Sequence, residues 1–507
     1  MPSTIPDLFD DAVAAAPSKV WLHMDGRAFT FEEAHALVER AASAVAARGV
    51  RPGHLVLATA HNTPEYLFAW LGTVYAGGII VAVNPRAGEN DLAGLERQVG
   101  HRLIVTDSEA ADAVRRAGGD TIDVAELYSE PAGPTPPRPG PDDPAALIPT
   151  SGTTGRSKLV TQTHRAYAMA GEGFPWWMEL GPDDRLMTSL PLFHINAPAY
   201  SVLGSIAARA GLVLLPRFSA STFLDSSRRH GATEFNAIGA MLEILMRQPA
   251  REDDADTPLR LCYTGPAPPE ARQLEIERRF GLRIVCGYAL SESPYGMIWP
   301  HGARPFGTLG TVRQHPRLGT VNEARIVAGG REVADGEVGE LELRSPAVMR
   351  GYWGMPEETA RVVDPDGWLR TGDLVHQNPD GTYTFVGRQK EVIRRRGENV
   401  APAEIEEALC THADVAEAAV IGVPSELTEE EIKGFVAVSD PESADLAAIR
   451  EAAAGLLAPF KVPRYLEAVA ELPHTPTGRV AKHELSRERT AAEMDFDEAR
   501  DRVPRPG

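Results

Sequence analysis

Between residues 30 and 110 the apolar positions follow two different periods. "TFEEAHALVERAASAVAARG" repeats them every three or four residues, opens on acids and stops at a glycine, which predicts an amphipathic helix. "HLVLATA", "GGIIVAVNP" and "RLIVTD" are short, mostly apolar runs that predict buried strands. This alternation continues to about residue 300 and implies a mostly parallel sheet covered by helices on both faces. One stretch, "YLFAWLGTVYAGGIIVAV" from Tyr66 to Val83, is uncharged over the length of a membrane span. The Gly77-Gly78 pair interrupts it, so a short helix leading into a buried strand is expected instead.

Beyond residue 300 the pattern shifts to brief strands and frequent glycines, as in "GTVNEARIVAGGREV", "GEVGELELRS" and "GTYTFVGR". Such spacing predicts an antiparallel or barrel-like subdomain. From about Lys390 it shifts again. "APAEIEEALCTH" and "DLAAIREAAAGLL" read as helices and "VAEAAVIGVP" as a strand, a small α+β domain. The stretch "SEPAGPTPPRPGPDDP" is too rich in proline and glycine for helix or central strand and is expected on the surface. A charged tail, residues 491–507, closes the chain.

At 507 residues the chain exceeds what one core usually fills. Its net charge of -20 argues against general nucleic-acid binding, so an anionic ligand needs a locally built site. Three cysteines without metal-ligand spacing suit a reducing cytoplasm. The opening "MPSTIPDLFDDAVAAAPSKV" has acids where a secretion signal needs bases. No membrane partner is expected, and the chain is read as monomer or homodimer.

The strongest chemical signal is "LIPTSGTTGRSKLV". Thr150, Ser151, Gly152, Thr153, Thr154 and Gly155 are all hydroxylic or glycine, and Lys158 adds a positive charge. Glycines let backbone N–H groups close around an anion, and hydroxyls donate to phosphate oxygens. The spacing is not that of a Walker A loop.

T-S-G-T-T-G followed by Lys resembles the phosphate loop of the adenylate-forming superfamily, which includes acyl-CoA synthetases and peptide-synthetase adenylation domains. "GYALSES", "GELELRSPAVMRGYW", "GWLRTGD", "GRQKEVIRRRGENVAPAEIE" and "TPTGRVAK" follow in the family's order, and the resemblance covers about residues 5 to 487. It implies a large N-terminal α/β domain of layered, mostly parallel sheets plus the barrel-like subdomain (1–386), a hinge (387–390) and a small mobile α+β C-terminal domain (391–490). The implied chemistry is attack of an acid's oxygen on the α-phosphorus of ATP, with Mg2+ and with CoA as the expected acceptor.

The resemblance assigns roles residue by residue. Gly265, Pro266, Ala267 and Tyr288 would enclose adenine, and Asp373 and Arg388 would hold the ribose. Glu292 is the implied magnesium ligand, beside Ser291. His194, Asn196, Phe235, Asn236, Gly287 and Ala289 are the acid-pocket candidates. Lys390 is the implied hinge, and Gly397, Glu398 and Asn399 would line the acceptor channel. Arg479 stands where the family has its catalytic lysine; it keeps the charge but changes its shape. Ser157, Leu159, Ala289 and Ser291 also depart from the family pattern, which suggests a specialised member. Stretches such as "EEEIKGFV" and "FKVPRYLE" are most similar to crotonobetaine/carnitine-CoA ligases, pointing to a small, medium or aryl acid. Alternatives stay open: transfer to a carrier protein, activation of nitrite for an aryl amine, or ATP binding by a non-catalytic regulator.

Overall fold

The structure, a computed structural model, describes residues 4–85, 87, 89–107, 121–128, 136–150, 158–265, 267–391, 393–395, 398–424, 430–457, 461–475, 479–490 and 492–496. The chain divides into two compact units: Met1–Arg325 with Glu342–Thr371, and Ile326–Leu341 with Gly372–Gly507.

The first unit is built on two large sheets. In the nine-stranded sheet the order is Thr311–Val312, Ser293–Ile298, Arg283–Leu290, Leu261–Thr264, Glu234–Ala237, Arg185–Thr188, Gly211–Leu214, Val20–Met24 and Arg27–Thr30. Its central strands run parallel and its edges antiparallel. The seven-stranded sheet, from Gly351–Tyr352 to Thr121–Asp123, is likewise parallel except at the Lys158–Thr163 edge. The amphipathic stretch forms the helix Phe31–Ala47, started by a capping box between Thr30 and Glu33. The uncharged stretch becomes the helix Pro64–Tyr75 and the strand Ile79–Ala82, both buried. Gly77, at φ +71, makes the turn between them, a conformation that favours glycine. No helix among the described residues is long and apolar enough to cross a membrane.

Parallel strands with apolar faces on both sides leave their loops at one carboxyl edge, where open α/β sheets bind ligands. In the nine-stranded sheet Ala237, Thr264 and Cys286 lie side by side in register at that edge.

The second unit holds most of a five-stranded sheet of short strands, in the order Arg331–Glu332, Glu323–Ala328, Gly339–Arg344, Leu369–Gln377 and Tyr383–Arg388. Its C-terminal portion packs the helices Pro402–Leu409 and Leu446–Ala454 with a four-stranded sheet, around Ile405, Val420, Ile432, Val436 and Leu466. Most of the charged tail lies outside the described residues.

Candidate functional site

Two paired strands flank the candidate phosphate-loop sequence. Strands Pro144–Thr150 and Lys158–Thr163 pair antiparallel, with Thr150 opposite Lys158 and its Oγ1 donating to the Lys158 carbonyl at 3.2 Å. Ser151, Gly152, Thr153, Thr154 and Gly155 lie outside the described residues, as does Pro266.

Lys158 is held from two sides. Its Nζ lies 2.7 Å from Glu358 and 4.7 Å from the centre of the Tyr352 ring. Tyr352 reaches it because Gly351–Tyr352 pairs with Val160 and Thr161 of the same hairpin. The Tyr352 hydroxyl in turn donates to Glu292 at 2.9 Å. Burial, and then the nearby Glu292 carboxylate, push the Tyr352 phenol up, so it keeps its proton and stays the donor. The turn at Glu292 is tied to the same region twice: Gln162 Nε2 donates to the Ser291 carbonyl at 2.6 Å, and the Met349 amide to the Glu292 carbonyl at 2.8 Å. Lysine, phenol and acid thus form one connected row.

Glu292 suits magnesium chemically. Mg2+ commonly takes one or two carboxylates, with substrate phosphates and waters completing the shell. The Lys158–Glu358 pair is partly exposed and is worth about 0–1 kcal/mol.

At the carboxyl edge of the nine-stranded sheet the backbone is crowded. A Cβ on Gly265 would stand 2.3 Å from the Gly287 carbonyl oxygen, and one on Gly287 would stand 2.7 Å from the Tyr263 hydroxyl. Only glycine fits at both positions. Tyr288 and Ala289 follow on the same strand, half-buried. Asn236 Nδ2 donates to Asn196 Oδ1 at 2.7 Å, which joins two pocket candidates; the Asn236 Oδ1 is buried without a partner among the described residues. Phe235 alternates away from Asn236, as neighbours on a strand must, and packs in the core against Phe223 at 5.0 Å. His194 lies beside Phe193 on the turn before the π-helical segment Ala197–Val202.

In the second unit Asp373 is buried and meets Arg388 at 3.0 Å, since the two face each other on paired strands. Arg479 is exposed and bonded back to Thr475: the Thr475 amide donates to the Arg479 carbonyl at 2.7 Å, and the Arg479 amide to Thr475 Oγ1 at 3.2 Å. Lys390 lies in the single helical turn Gln389–Glu391. Glu398 and Asn399 begin the strand Glu398–Val400, and Gly397 lies outside the described residues.

The chain matches the AMP-binding enzyme family over residues 9–353 and that family's C-terminal domain over residues 404–479. It belongs to the AMP-binding enzymes. A sulfoacetate–CoA ligase of Cupriavidus necator is 34% identical over 95% of this chain and 98% of its own. A crotonobetaine/carnitine–CoA ligase of Salmonella agona is 30% identical over 90% and 93%, in line with the similarity seen in the sequence. Among solved structures, the o-succinylbenzoate CoA synthetase of Bacillus subtilis with its acyl-adenylate intermediate superposes with a TM-score of 0.85, at 25% identity over 95% of this chain and 98% of that one. The same synthetase has been solved with ATP and a magnesium ion.

This AMP-binding enzyme carries site residues that the motifs alone did not single out. Tyr352 lies inside a motif stretch, yet nothing in its spacing shows that it bridges Lys158 and Glu292. Glu358 opens no motif; its position four residues before Val362 on a short exposed helix reads as ordinary surface.

Proposed function

We propose that this AMP-binding enzyme activates a small acid with ATP and passes the acyl group to CoA. The row Lys158–Tyr352–Glu292 carries this reading, because it sets a phosphate-seeking cation and a magnesium-type carboxylate on one hairpin scaffold. A carboxylate oxygen of the acid attacks the α-phosphorus, the bond to the β-phosphate bridging oxygen breaks, and pyrophosphate leaves. The CoA thiolate then attacks the acyl carbonyl, and AMP leaves with the oxygen that came from the acid.

Lys158 contributes charge at the departing phosphates, and Arg479 supplies the second cation. Glu292 would hold Mg2+, which neutralises developing phosphate charge when bound. Asp373 and Arg388 hold the ribose, and Tyr288 covers adenine. Lys390 acts as the pivot by which the small domain exchanges Arg479 for the 397–399 segment after adenylation. His194, Asn196 and Asn236 contact the acid. The relatives' named substrates, sulfoacetate, crotonobetaine and carnitine, favour a small polar acid over a fatty one. The enzyme works in the cytoplasm.

The test is pyrophosphate release over a panel of acids, with and without CoA, and with nitrite plus an aminobenzoate. CoA-dependent turnover with at least one acid is expected. Release only with nitrite and the amine would move the acceptor from CoA to an amine. No release under any condition, with ATP still raising the melting temperature, would make the protein a regulator and overturn the proposal.

A further inference from the structure

Arg313 is the most deeply buried cation of the first unit, with no accessible surface. No carboxylate among the described residues lies within ion-pair reach of it. Its Nε donates to the Met297 carbonyl at 3.1 Å and its Nη1 to the Pro294 carbonyl at 2.8 Å and the Tyr200 hydroxyl at 2.7 Å. Its Nη2 donates to the Tyr263 hydroxyl, and no second acceptor for that nitrogen is seen among the described residues. The rings of Trp177, Tyr200 and Tyr263 surround the guanidinium. Carbonyls, phenols and ring faces soften the charge but do not cancel it, and a buried charge without a counter-ion is costly.

The location explains what the charge faces. Tyr263 is the residue before Thr264 and Gly265 at the sheet's carboxyl edge. Tyr200 lies in the segment that follows His194 and Asn196. A Cβ on Gly287 would stand 2.8 Å from the Arg313 Nη2. Arg313 therefore touches the strand that carries Gly287 and Ala289, and two elements, at Tyr263 and Tyr200, that adjoin the other acid-pocket candidates. The Tyr263 hydroxyl accepts from the guanidinium and also meets the Tyr200 hydroxyl, which itself donates to the Pro294 carbonyl. A phenol polarised in this way is a stronger donor, and it stands between the charge and the pocket edge. Elsewhere the chain neutralises covered cations: Arg395 meets Glu431, and Lys433 meets Glu467 and Glu493.

We propose that Arg313, acting through the Tyr263 hydroxyl, is the counter-charge for a second anionic group on the acid, so that the substrate is a short dianion. This rests on the acid-activating reading above. The reacting carboxylate goes to the α-phosphorus, and the distal carboxylate or sulfonate is received by Tyr263 and Arg313. Arg313 is on this account a positioning residue that fixes which acids turn over.

The experiment compares kcat/KM for pyrophosphate release with length-matched acids: butanoate against succinate, and propanoate against malonate and sulfoacetate. The wild-type enzyme is expected to favour the dianions by about 100-fold or more, the scale seen when a buried polar site loses its partner. Succinate and malonate against sulfoacetate separate a carboxylate from a sulfonate as the distal group. Tyr263→Phe, which removes one oxygen, is expected to collapse the dianion-to-monoanion ratio by about tenfold or more while monoanion turnover persists, and Arg313→Met to abolish it. Arg313→Lys should restore part of the ratio. If Arg313→Met does not fold, Tyr263→Phe carries the test. A wild-type enzyme that turns over butanoate as well as succinate, or a ratio unmoved in Tyr263→Phe, overturns the proposal. Absence of turnover with every acid would instead refute the acid-activating reading itself.

Discussion

Lys433 in the second unit and Arg313 in the first are both removed from water, yet their surroundings are opposite. Lys433 lies 2.9 Å from Glu467 and 2.8 Å from Glu493, within a four-stranded sheet whose strands bring all three together. Arg313 is met by two carbonyls, two phenols and an indole. A buried ion pair roughly balances its own desolvation, whereas a buried charge met only by neutral groups leaves charge to spare. The lysine closes a structural account within the chain. On the proposal above, the arginine is left to meet an anion that the substrate brings.

The largest effect expected from this contrast is on substrate choice. Arg313→Met should erase the preference for dianionic acids, whereas Lys433→Met should leave the succinate-to-butanoate ratio of any folded enzyme unchanged. Steady-state kinetics on the two acids would read both. A shift of the ratio in Lys433→Met would break the comparison.

Stability should run the other way. Lys433→Met strands Glu467 and leaves Glu493 with only Arg489, and is expected to cost about 3–5 kcal/mol, the usual result of removing one partner of a buried pair. Arg313→Met removes a buried charge but leaves carbonyls without donors, so a smaller loss of about 1–2 kcal/mol is expected. Hydrogen exchange in the strands Glu430–Ala437 and Leu261–Thr264 would measure each unit separately.

Acid should weaken the second unit through the same cluster. Burial alone would raise the Glu493 carboxyl, but hydrogen bonds from Lys433 and Arg489 outweigh it and hold the group below its ordinary value. A depressed carboxylate contributes stability that is full above the unfolded value, near 4.5, and is lost as pH falls through the folded one. Exchange protection of Glu430–Ala437 should therefore fall on acidification below about pH 4.5, and less steeply in Lys433→Met.

The smallest effect concerns the row at Lys158. Tyr352→Phe removes one hydrogen bond to Glu292 while keeping the ring under Lys158, about 1 kcal/mol of positioning. The magnesium concentration giving half-maximal stabilisation of the ATP complex should rise about fivefold, read as a melting-temperature titration. An unchanged titration would separate Tyr352 from the metal site.

Much of this was legible along the chain. The Gly77 break, the acidic start of the helix Phe31–Ala47 and the apolar strands fix local structure through short-range physics, and those elements formed where the pattern put them. Lys158 and Glu292 could be singled out as candidates because they fall in contiguous motifs, while residues 151–157 lie outside the described residues. Phe235 and Asn236 show the limit: they are adjacent in sequence, but strand alternation sends one to the core and the other to Asn196. Tyr352, Glu358 and Arg313 were not legible, since each gains its meaning from partners that are distant in sequence. Arg313 in "GTVRQHP" looks like a surface charge until its neighbours 50 and 113 residues away, Tyr263 and Tyr200, are seen to enclose it.

The most direct test follows one oxygen atom. The acid that best supports pyrophosphate release is labelled with oxygen-18 in its carboxylate and turned over with ATP and CoA, and the AMP is weighed by mass spectrometry. Attack by the acid on the α-phosphorus predicts one labelled oxygen in each AMP. Unlabelled AMP, or ADP and phosphate in place of AMP and pyrophosphate, would contradict the account.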